Sequence, residues 1–170
     1  MLIYNKKLSV CPVTTHLPLK QVSKKITKKL LKEKILIVNN FFEKFLGFKP
    51  RIGIVGLNPH CESVLKYNED EKIILPVVNS LKKKVLLKGP MPSDTIFLKE
   101  IRKNFDVIIG MYHDQVLTPI KTLFEYDAIN ITIGLPFLRV TPDHGPNEIM
   151  VGKNKSNPKS LIKAMSFLDR

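Results

Sequence analysis

The chain has 170 residues, of which 44% are hydrophobic, and its formal net charge is +13. This length and apolar content are enough to bury the core of one domain, so an intrinsically disordered chain is excluded. No apolar run approaches the roughly 20 residues that a bilayer-spanning helix needs, and the apolar stretch in MLIYNKKLSV is too short for us to expect a secretory signal. Cys11 and Cys61 lie in unlike contexts and are expected to be reduced thiols. We therefore expect a soluble cytoplasmic protein without a membrane partner.

The positive charge raises the question of a nucleic-acid partner, because clustered lysine and arginine would release counterions from a phosphate backbone. Lysine outnumbers arginine 24 to 4, however, and the lysines are spread along the chain. We therefore predict a lysine-rich solvated surface and no nucleic-acid partner. Anionic small-molecule substrates are the secondary interpretation of the charge.

The first part of the chain predicts a strand, a long helix and a second strand. KLSVCPVTT (7–15) has the β-branched content of a strand, and Pro18 follows as a breaker. From Thr27, as the N-cap, apolar residues recur at near-helical spacing until Gly47, which predicts an amphipathic helix. RIGIVGL (51–57) then reads as a buried strand. The polar stretch NPHCESVLKYN (58–68) is expected to be a loop.

The second part continues the alternation of helices and strands. Acidic residues 69–71 favour a helix N-terminus, and the helix is predicted to reach Leu81 with a kink at Pro76. In PMPSDTIF, either Ser93 or Asp94 is expected to cap a short helix. The remaining predicted elements are a strand in DVIIGMY (106–112), a helix or turn over 114–124, a strand in AINITIG (128–134) and a helix in PKSLIKAMSFL (158–168).

This alternation predicts an α/β fold with layers around a largely parallel sheet, in one domain over residues 1–170. His16, His60 and His113 each follow the carboxyl end of a predicted strand, and His144 lies in the loop after AINITIG. Because parallel strands end at a shared edge, the first three can converge into a site for a divalent cation such as zinc. Isolated loop histidines are more commonly surface residues, and no HxxxH or CxxC spacing is present, so that alternative stays open.

Six motifs occur in order along almost the whole chain: VTTHLPLKQV, GLNPH, GPMPSDTIF, MYHDQ, NITIGLPFLR and DHG. Together they resemble the carboxyl-terminal half of the 4-hydroxythreonine-4-phosphate dehydrogenases, a family of NAD-dependent enzymes of pyridoxal phosphate biosynthesis. The resemblance implies the α/β/α architecture of the metal-dependent isocitrate and isopropylmalate dehydrogenases. It also implies that a GxGxxG dinucleotide motif is not needed, and the sequence contains none.

The activity that the resemblance implies is NAD-dependent oxidation of 4-phosphooxy-L-threonine at its C3 hydroxyl, followed by decarboxylation to 3-amino-2-oxopropyl phosphate. His16, His60 and His113 would bind the divalent metal, which could be zinc, magnesium or cobalt. The site would be shared between the two subunits of a homodimer.

Three residues match the positions at which the family contacts its phosphorylated amino-acid substrate: Lys121, Asn130 and Arg139. Lys121 and Arg139 also suit a phosphate or carboxylate by their charge. Lys121 has a competing interpretation as one more surface lysine.

Asp94 and Asp114 are candidates for catalytic roles, either orienting a metal-binding imidazole or transferring a proton. Either aspartate could equally be a helix cap. Asp143 and His144, in DHG, are expected to line the same cleft. Because the family also has an amino-terminal half, turnover is expected to need that half, which a separate chain could supply. The alternative is a non-catalytic fragment that folds and binds metal or phosphate without redox activity.

Overall fold

The structure is a computed structural model that describes residues 1–62, 67–145 and 148–169. The strands in these ranges are β1 (Leu2–Tyr4), β2 (Ser9–Pro12), β3 (Ile52–Val55), β4 (Leu87–Met91), β5 (Val107–Gly110), β6 (Ile129–Thr132) and β7 (Arg139–Pro142). The α-helices are α1 (Leu19–Lys25), α2 (Lys28–Phe41), α3 (Leu75–Leu81), α4 (Lys99–Arg102), α5 (His113–Phe124) and α6 (Lys159–Leu168). Within the described ranges, no helix has the length and apolar character that crossing a membrane requires.

The strands form one sheet in the order β4-β3-β5-β2-β1-β6-β7. The first four strands of this order are parallel to one another. β1 is antiparallel to both β2 and β6, and β7 is antiparallel to β6, so β6 runs in the direction of the parallel four. The predicted largely parallel sheet is therefore confirmed. Its centre places the carboxyl ends of β3, β5 and β2 side by side.

Helices cover both faces of the sheet, because alternate residues of its strands point to opposite sides. Val107 and Ile109 of β5 pack into a cluster that includes residues of α1, α2, α3 and α6. Ile108, between them, joins a second cluster with residues of α4 and α5. Each such side chain, when fully buried, contributes about 1.5–3 kcal/mol of transfer free energy. The α/β/α arrangement thus contains two hydrophobic clusters, one on each face of the sheet.

The long helix predicted from Thr27 is confirmed at both ends. The Thr27 side chain accepts a hydrogen bond from the Leu30 amide at 3.2 Å, as an N-cap does. α2 then continues as a π-helical segment, Phe42–Leu46. Gly47, at a φ of 78°, ends it in the left-handed conformation that glycine adopts without a steric penalty.

Other predicted boundaries are wrong in detail. α4 begins at Lys99 with Leu98 at its N-cap position and no side-chain cap, so neither Ser93 nor Asp94 caps it. The helix predicted through Leu81 consists of a π-helical segment, Asp70–Ile74, followed by α3, and Pro76 lies in the first turn of α3. The predicted loop after β3 contains one 3₁₀ turn, Pro59–Cys61, and its residues 63–66 lie outside the described part of the chain.

Candidate metal and substrate site

The ends of β2 and β5 bring two of the predicted metal ligands together. β2 and β5 are parallel neighbours that pair from Ser9 to Pro12, and the residues after them stay in contact. The Thr14 amide and hydroxyl both donate to the Met111 carbonyl, at 3.2 and 2.8 Å. As a result, the imidazole rings of His16 and His113 lie with their centroids 5.6 Å apart and their planes tilted by 57°.

The His113 ring has a carboxylate beside it. Nδ1 of His113 lies 2.7 Å from Oδ1 of Asp114. Because an ionised carboxylate only accepts hydrogen bonds, this contact favours the tautomer with its proton on Nδ1, in which the lone pair of Nε2 is available for a metal ion. This is the contact that the predicted orienting role of Asp114 requires. Asp114 does not cap α5, since the N-cap position is held by Tyr112.

The separation of the two rings fits one shared ion. Imidazoles that bind one zinc ion through bonds of about 2.0–2.1 Å, at near-tetrahedral angles, have centroids about 5 Å apart. Both side chains are partly or fully exposed, so an ion can reach them. Among residues 1–62, 67–145 and 148–169, however, no three histidine, cysteine, aspartate or glutamate side chains lie close enough together to hold a metal ion. The chain thus joins His16 to His113 without joining His60 to them.

His60 lies on an exposed turn after β3. β3 is a parallel neighbour of β5, on the side opposite β2. His60 and Cys61 both have positive φ values, 56° and 62°. Residues other than glycine adopt this region at a cost of about 1–3 kcal/mol each, so the surrounding contacts must hold the turn.

The segment that leads into this turn is held by Asp70, one of the acidic residues predicted to lie at a helix N-terminus. The Asp70 side chain is only 1% exposed. Its Oδ1 accepts from the Leu57 amide at 2.8 Å, and its Oδ2 accepts from the Asn58 amide at 3.0 Å and the Asn58 side chain at 2.8 Å. Asp70 therefore fastens the segment that leads from β3 to His60. Because Leu57 and Asn58 are 13 and 12 positions away from Asp70, the local sequence pattern does not predict these contacts.

Gln115, in the motif MYHDQ, joins the two strand ends. Its Oε1 accepts from the Met111 amide and its Nε2 donates to the Gly56 carbonyl, each at 2.7 Å. The side chain is 9% exposed. Gln115 thus ties the end of β3 to the end of β5, where His113 begins α5. It is a structural member of the motif.

An open cleft of about 580 Å³ lies next to these loops. Its lining includes Leu19 of α1, Asn58, Tyr67 and Tyr112. It therefore borders both the segment that leads to His60 and the residue that precedes His113. A second, smaller cavity of about 300 Å³ lies between β1, β6 and α6, and its lining includes none of the predicted site residues.

Asp94 lies in an exposed turn after β4. Burial, and next the charge of Asp70, raise the pKa of the Cys61 thiol to about 11, and Asp94 is one of the other carboxylates whose charge adds to this effect. This places the carboxylate of Asp94 near the turn that carries His60. Asp114, in contrast, contacts His113.

Lys121 is half-buried and paired. Its Nζ lies 2.7 Å from Oδ2 of Asp143 and also donates to the Asp143 carbonyl. Asp143 is 9% exposed, and its amide donates to the Ser160 hydroxyl at 2.8 Å. Asp143 therefore braces Lys121 against α6. Lys121 lies eight residues beyond His113 on α5, or about 12 Å along the helix axis.

The other two predicted substrate contacts lie on the antiparallel end of the sheet. Asn130 is on β6, and its buried Oδ1 has no hydrogen-bond partner among the described residues. Arg139 is exposed at the start of β7, and its Nη1 donates to the Thr132 hydroxyl at 3.0 Å. The β6–β7 pairing sets Arg139 opposite Thr132. An unsatisfied amide oxygen and an exposed guanidinium are therefore available on one pair of strands.

These features define an α/β/α protein with a candidate divalent-metal site at the carboxyl ends of adjacent parallel strands. Residues 1–168 match the family model described as pyridoxal phosphate biosynthetic protein PdxA. The chain therefore belongs to this family, as the six motifs indicate.

Proteins named 4-hydroxythreonine-4-phosphate dehydrogenase are similar to the chain along its length. The one from Xanthobacter autotrophicus is 42% identical over an alignment of 173 residues, which covers all of this chain and 49% of the relative. The one from Sulfurihydrogenibium sp. is 44% identical over 170 residues, covering 98% of this chain and 52% of the relative. A crystal structure of the Klebsiella pneumoniae protein matches with a TM-score of 0.81 at 32% identity, over 98% of this chain and 52% of that one. The chain thus spans about half the length of these relatives.

Proposed function

We propose that this chain carries the metal- and substrate-binding portion of a 4-hydroxythreonine-4-phosphate dehydrogenase. The observation that carries the proposal is the pairing of His16 with His113 at the ends of neighbouring parallel strands, with Asp114 against the His113 ring. The family membership and the names of the relatives support the choice of activity.

The proposed reaction is oxidation of the C3 hydroxyl of 4-phosphooxy-L-threonine by NAD, followed by loss of carbon dioxide to leave 3-amino-2-oxopropyl phosphate. A bound divalent ion would supply Lewis acidity to the substrate oxygen in both steps. The imidazoles of His16 and His113 would hold that ion, and Asp114 would keep the His113 ring in the ligating tautomer. Imidazole ligands favour zinc or cobalt over magnesium, which prefers oxygen ligands.

The third ligand in this proposal is His60 from the second subunit of a homodimer. His60 is exposed, and the described part of one chain does not bring it into a three-residue cluster with His16 and His113. A shared site satisfies both observations, because it needs His60 on the surface and the other two rings paired. Two copies would then form two equivalent sites.

Lys121, Asn130 and Arg139 are proposed to bind the substrate. The ammonium of Lys121 and the guanidinium of Arg139 suit its phosphate and carboxylate groups. The unsatisfied Oδ1 of Asn130 is an acceptor for a substrate hydroxyl or ammonium. Asp94, near the His60 turn, is the remaining candidate for proton transfer. The cytoplasm is the proposed location, which two cysteines without a disulfide suit.

We also propose that turnover needs the part of the enzyme that the relatives have and this chain does not span. The test is NADH formation from 4-phosphooxy-L-threonine, measured for this chain alone and mixed with the amino-terminal half of a relative. NADH that appears only in the mixture supports the proposal. Metal binding without NADH formation in either sample would favour the second candidate, a non-catalytic fragment that binds metal or phosphate.

A further inference from the structure

We propose that Asp70 is a positioning residue for His60, a role that rests on the proposed metal site. Asp70 is almost completely buried, with an exposed fraction of 1%. A charged group is buried at a large cost unless hydrogen bonds compensate for the lost water. Among the described residues, the side-chain hydrogen bonds that compensate for it come from the segment between β3 and His60.

Both carboxylate oxygens of Asp70 are engaged with that segment. Oδ1 accepts from the Leu57 amide, and Oδ2 accepts from the amide and the side chain of Asn58, at distances of 2.8, 3.0 and 2.8 Å. Consecutive amides that point at one carboxylate fix the direction in which the chain leaves β3. Because His60 lies only two residues after Asn58, this direction decides where its imidazole is presented.

The position of Asp70 near a helix start does not explain these contacts. Asn68 supplies the side-chain acceptor there, because its Oδ1 accepts from the Glu71 amide at 2.8 Å. The Asp70 side chain is instead committed to residues more than ten positions earlier in the chain. Its hydrogen bonds therefore stabilise the segment, Leu57 and Asn58, that leads into the turn with His60.

The packing around Gly56 leaves no space for a side chain at this position. A Cβ atom at Gly56 would lie 2.6 Å from Oδ1 of Asp70 and 2.6 Å from Sγ of Cys61. The Gly56 carbonyl accepts from Gln115, which also bonds the Met111 amide just before α5. Gln115 thus connects the end of β3, which leads to the segment bound by Asp70, with the end of β5, which leads to His113. This connection keeps the two histidine-bearing segments of a chain in a fixed relation.

The first test uses Asp70→Asn, which keeps the shape of the side chain but replaces one acceptor oxygen with a donor. Amide hydrogen exchange should become at least about tenfold faster at Leu57 and Asn58, because those amides lose an acceptor. The dissociation constant for Co²⁺, measured by titration of the purified protein, should rise about 10- to 100-fold. Unchanged exchange at both amides, or faster exchange with unchanged Co²⁺ affinity, would overturn the inference.

Asp106→Asn is the matched control. Asp106 also accepts three hydrogen bonds, but all come from Arg51, at the opposite end of β3 and β5. This variant should lower the melting temperature and leave the exchange of Leu57 and Asn58 and the Co²⁺ affinity at their wild-type values. An equal loss of Co²⁺ affinity in both variants would mean that general destabilisation is the cause, which would also overturn the inference.

Two further variants cover the remaining outcomes. If Asp70→Asn does not fold, Asn58→Ala removes one of the three donors and should weaken Co²⁺ binding several-fold, whereas wild-type affinity would count against the inference. His60→Ala separates this inference from the function itself. Wild-type Co²⁺ affinity in His60→Ala would contradict the proposed metal site, and it would remove the metal-positioning role of Asp70 with it. Loss of binding in His60→Ala but not in Asp70→Asn would contradict only the inference.

Discussion

The ammonium of Lys121 lies 2.7 Å from the carboxylate of Asp143, and the two groups differ in their exposure to water. The Asp143 side chain is 9% exposed and that of Lys121 is 39% exposed. Removal of the lysine therefore leaves a buried carboxylate, whereas removal of the carboxylate leaves a lysine that water can reach. The pair should respond unequally to mutation.

We expect Lys121→Met to lower the free energy of unfolding by about 1–3 kcal/mol, because it strands a buried acceptor. Asp143→Asn should cost about 1 kcal/mol or less. Urea unfolding of both variants measures the difference. Lys121→Met should also weaken binding of a phosphorylated substrate while sparing metal affinity. Equal destabilisation by the two changes would contradict the account of the pair.

Asp114→Asn tests the contact with the His113 ring. The asparagine side chain can turn its amide nitrogen toward Nδ1, which would place the imidazole proton on Nε2, the nitrogen proposed to bind the metal ion. Because Asp114 is 80% exposed, water can replace part of its effect, and we expect about a tenfold loss of Co²⁺ affinity. Isothermal titration calorimetry measures this loss. Co²⁺ affinity equal to that of the wild type would show that Asp114 does not orient the ring.

The ion pair between Arg51 and Asp106 predicts a pH dependence of stability. Burial alone would raise the pKa of Asp106, but the hydrogen bonds and charge of Arg51 outweigh it and hold the pKa below its ordinary value. Because the folded state binds the proton more weakly than the unfolded state, the contribution is fully present above the unfolded pKa. It is lost as the pH falls below about 4 and passes through the folded pKa.

Asp106→Asn should therefore lower stability by about 1 kcal/mol or less at neutral pH. The gap between variant and wild type should close in acid. Urea unfolding at pH 7 and at pH 3 checks the prediction. A gap that stays constant or widens in acid would reverse the assigned sign of the pKa shift.

The pairing of His16 with His113 could be anticipated from the sequence, because both residues follow apolar runs that become neighbouring parallel strands. The helix from Thr27 to Gly47 was equally accessible, since its cap and its glycine are local signals. β1 and β7 lie outside the predicted strands, because β1 has only three residues and the RVTP of β7 holds one hydrophobic residue, Val140. Their antiparallel pairing is decided by tertiary packing.

The residues that position the candidate site were harder to predict from the sequence. Asp70 resembles an ordinary acidic residue at a helix start, and only the folded chain shows that its oxygens face Leu57 and Asn58. Gln115 and Asp143 likewise act on residues distant in sequence, Gly56 and Lys121. The sequence indicates which residues are candidates to bind a metal or phosphate. Which residues hold them in place depends on contacts between strand ends.

The central claim is that His16 and His113 bind one divalent ion together with His60. The most direct measurement is Co²⁺ stoichiometry and affinity for the wild type and for alanine variants of the three histidines, with His144→Ala as a control, because His144 is exposed and is not a proposed ligand. We predict one ion per chain in the wild type and in His144→Ala, and loss of stoichiometric binding in the other three variants with unchanged helix content. Stoichiometric binding with wild-type affinity in the alanine variant of His16, His60 or His113 would contradict the claim.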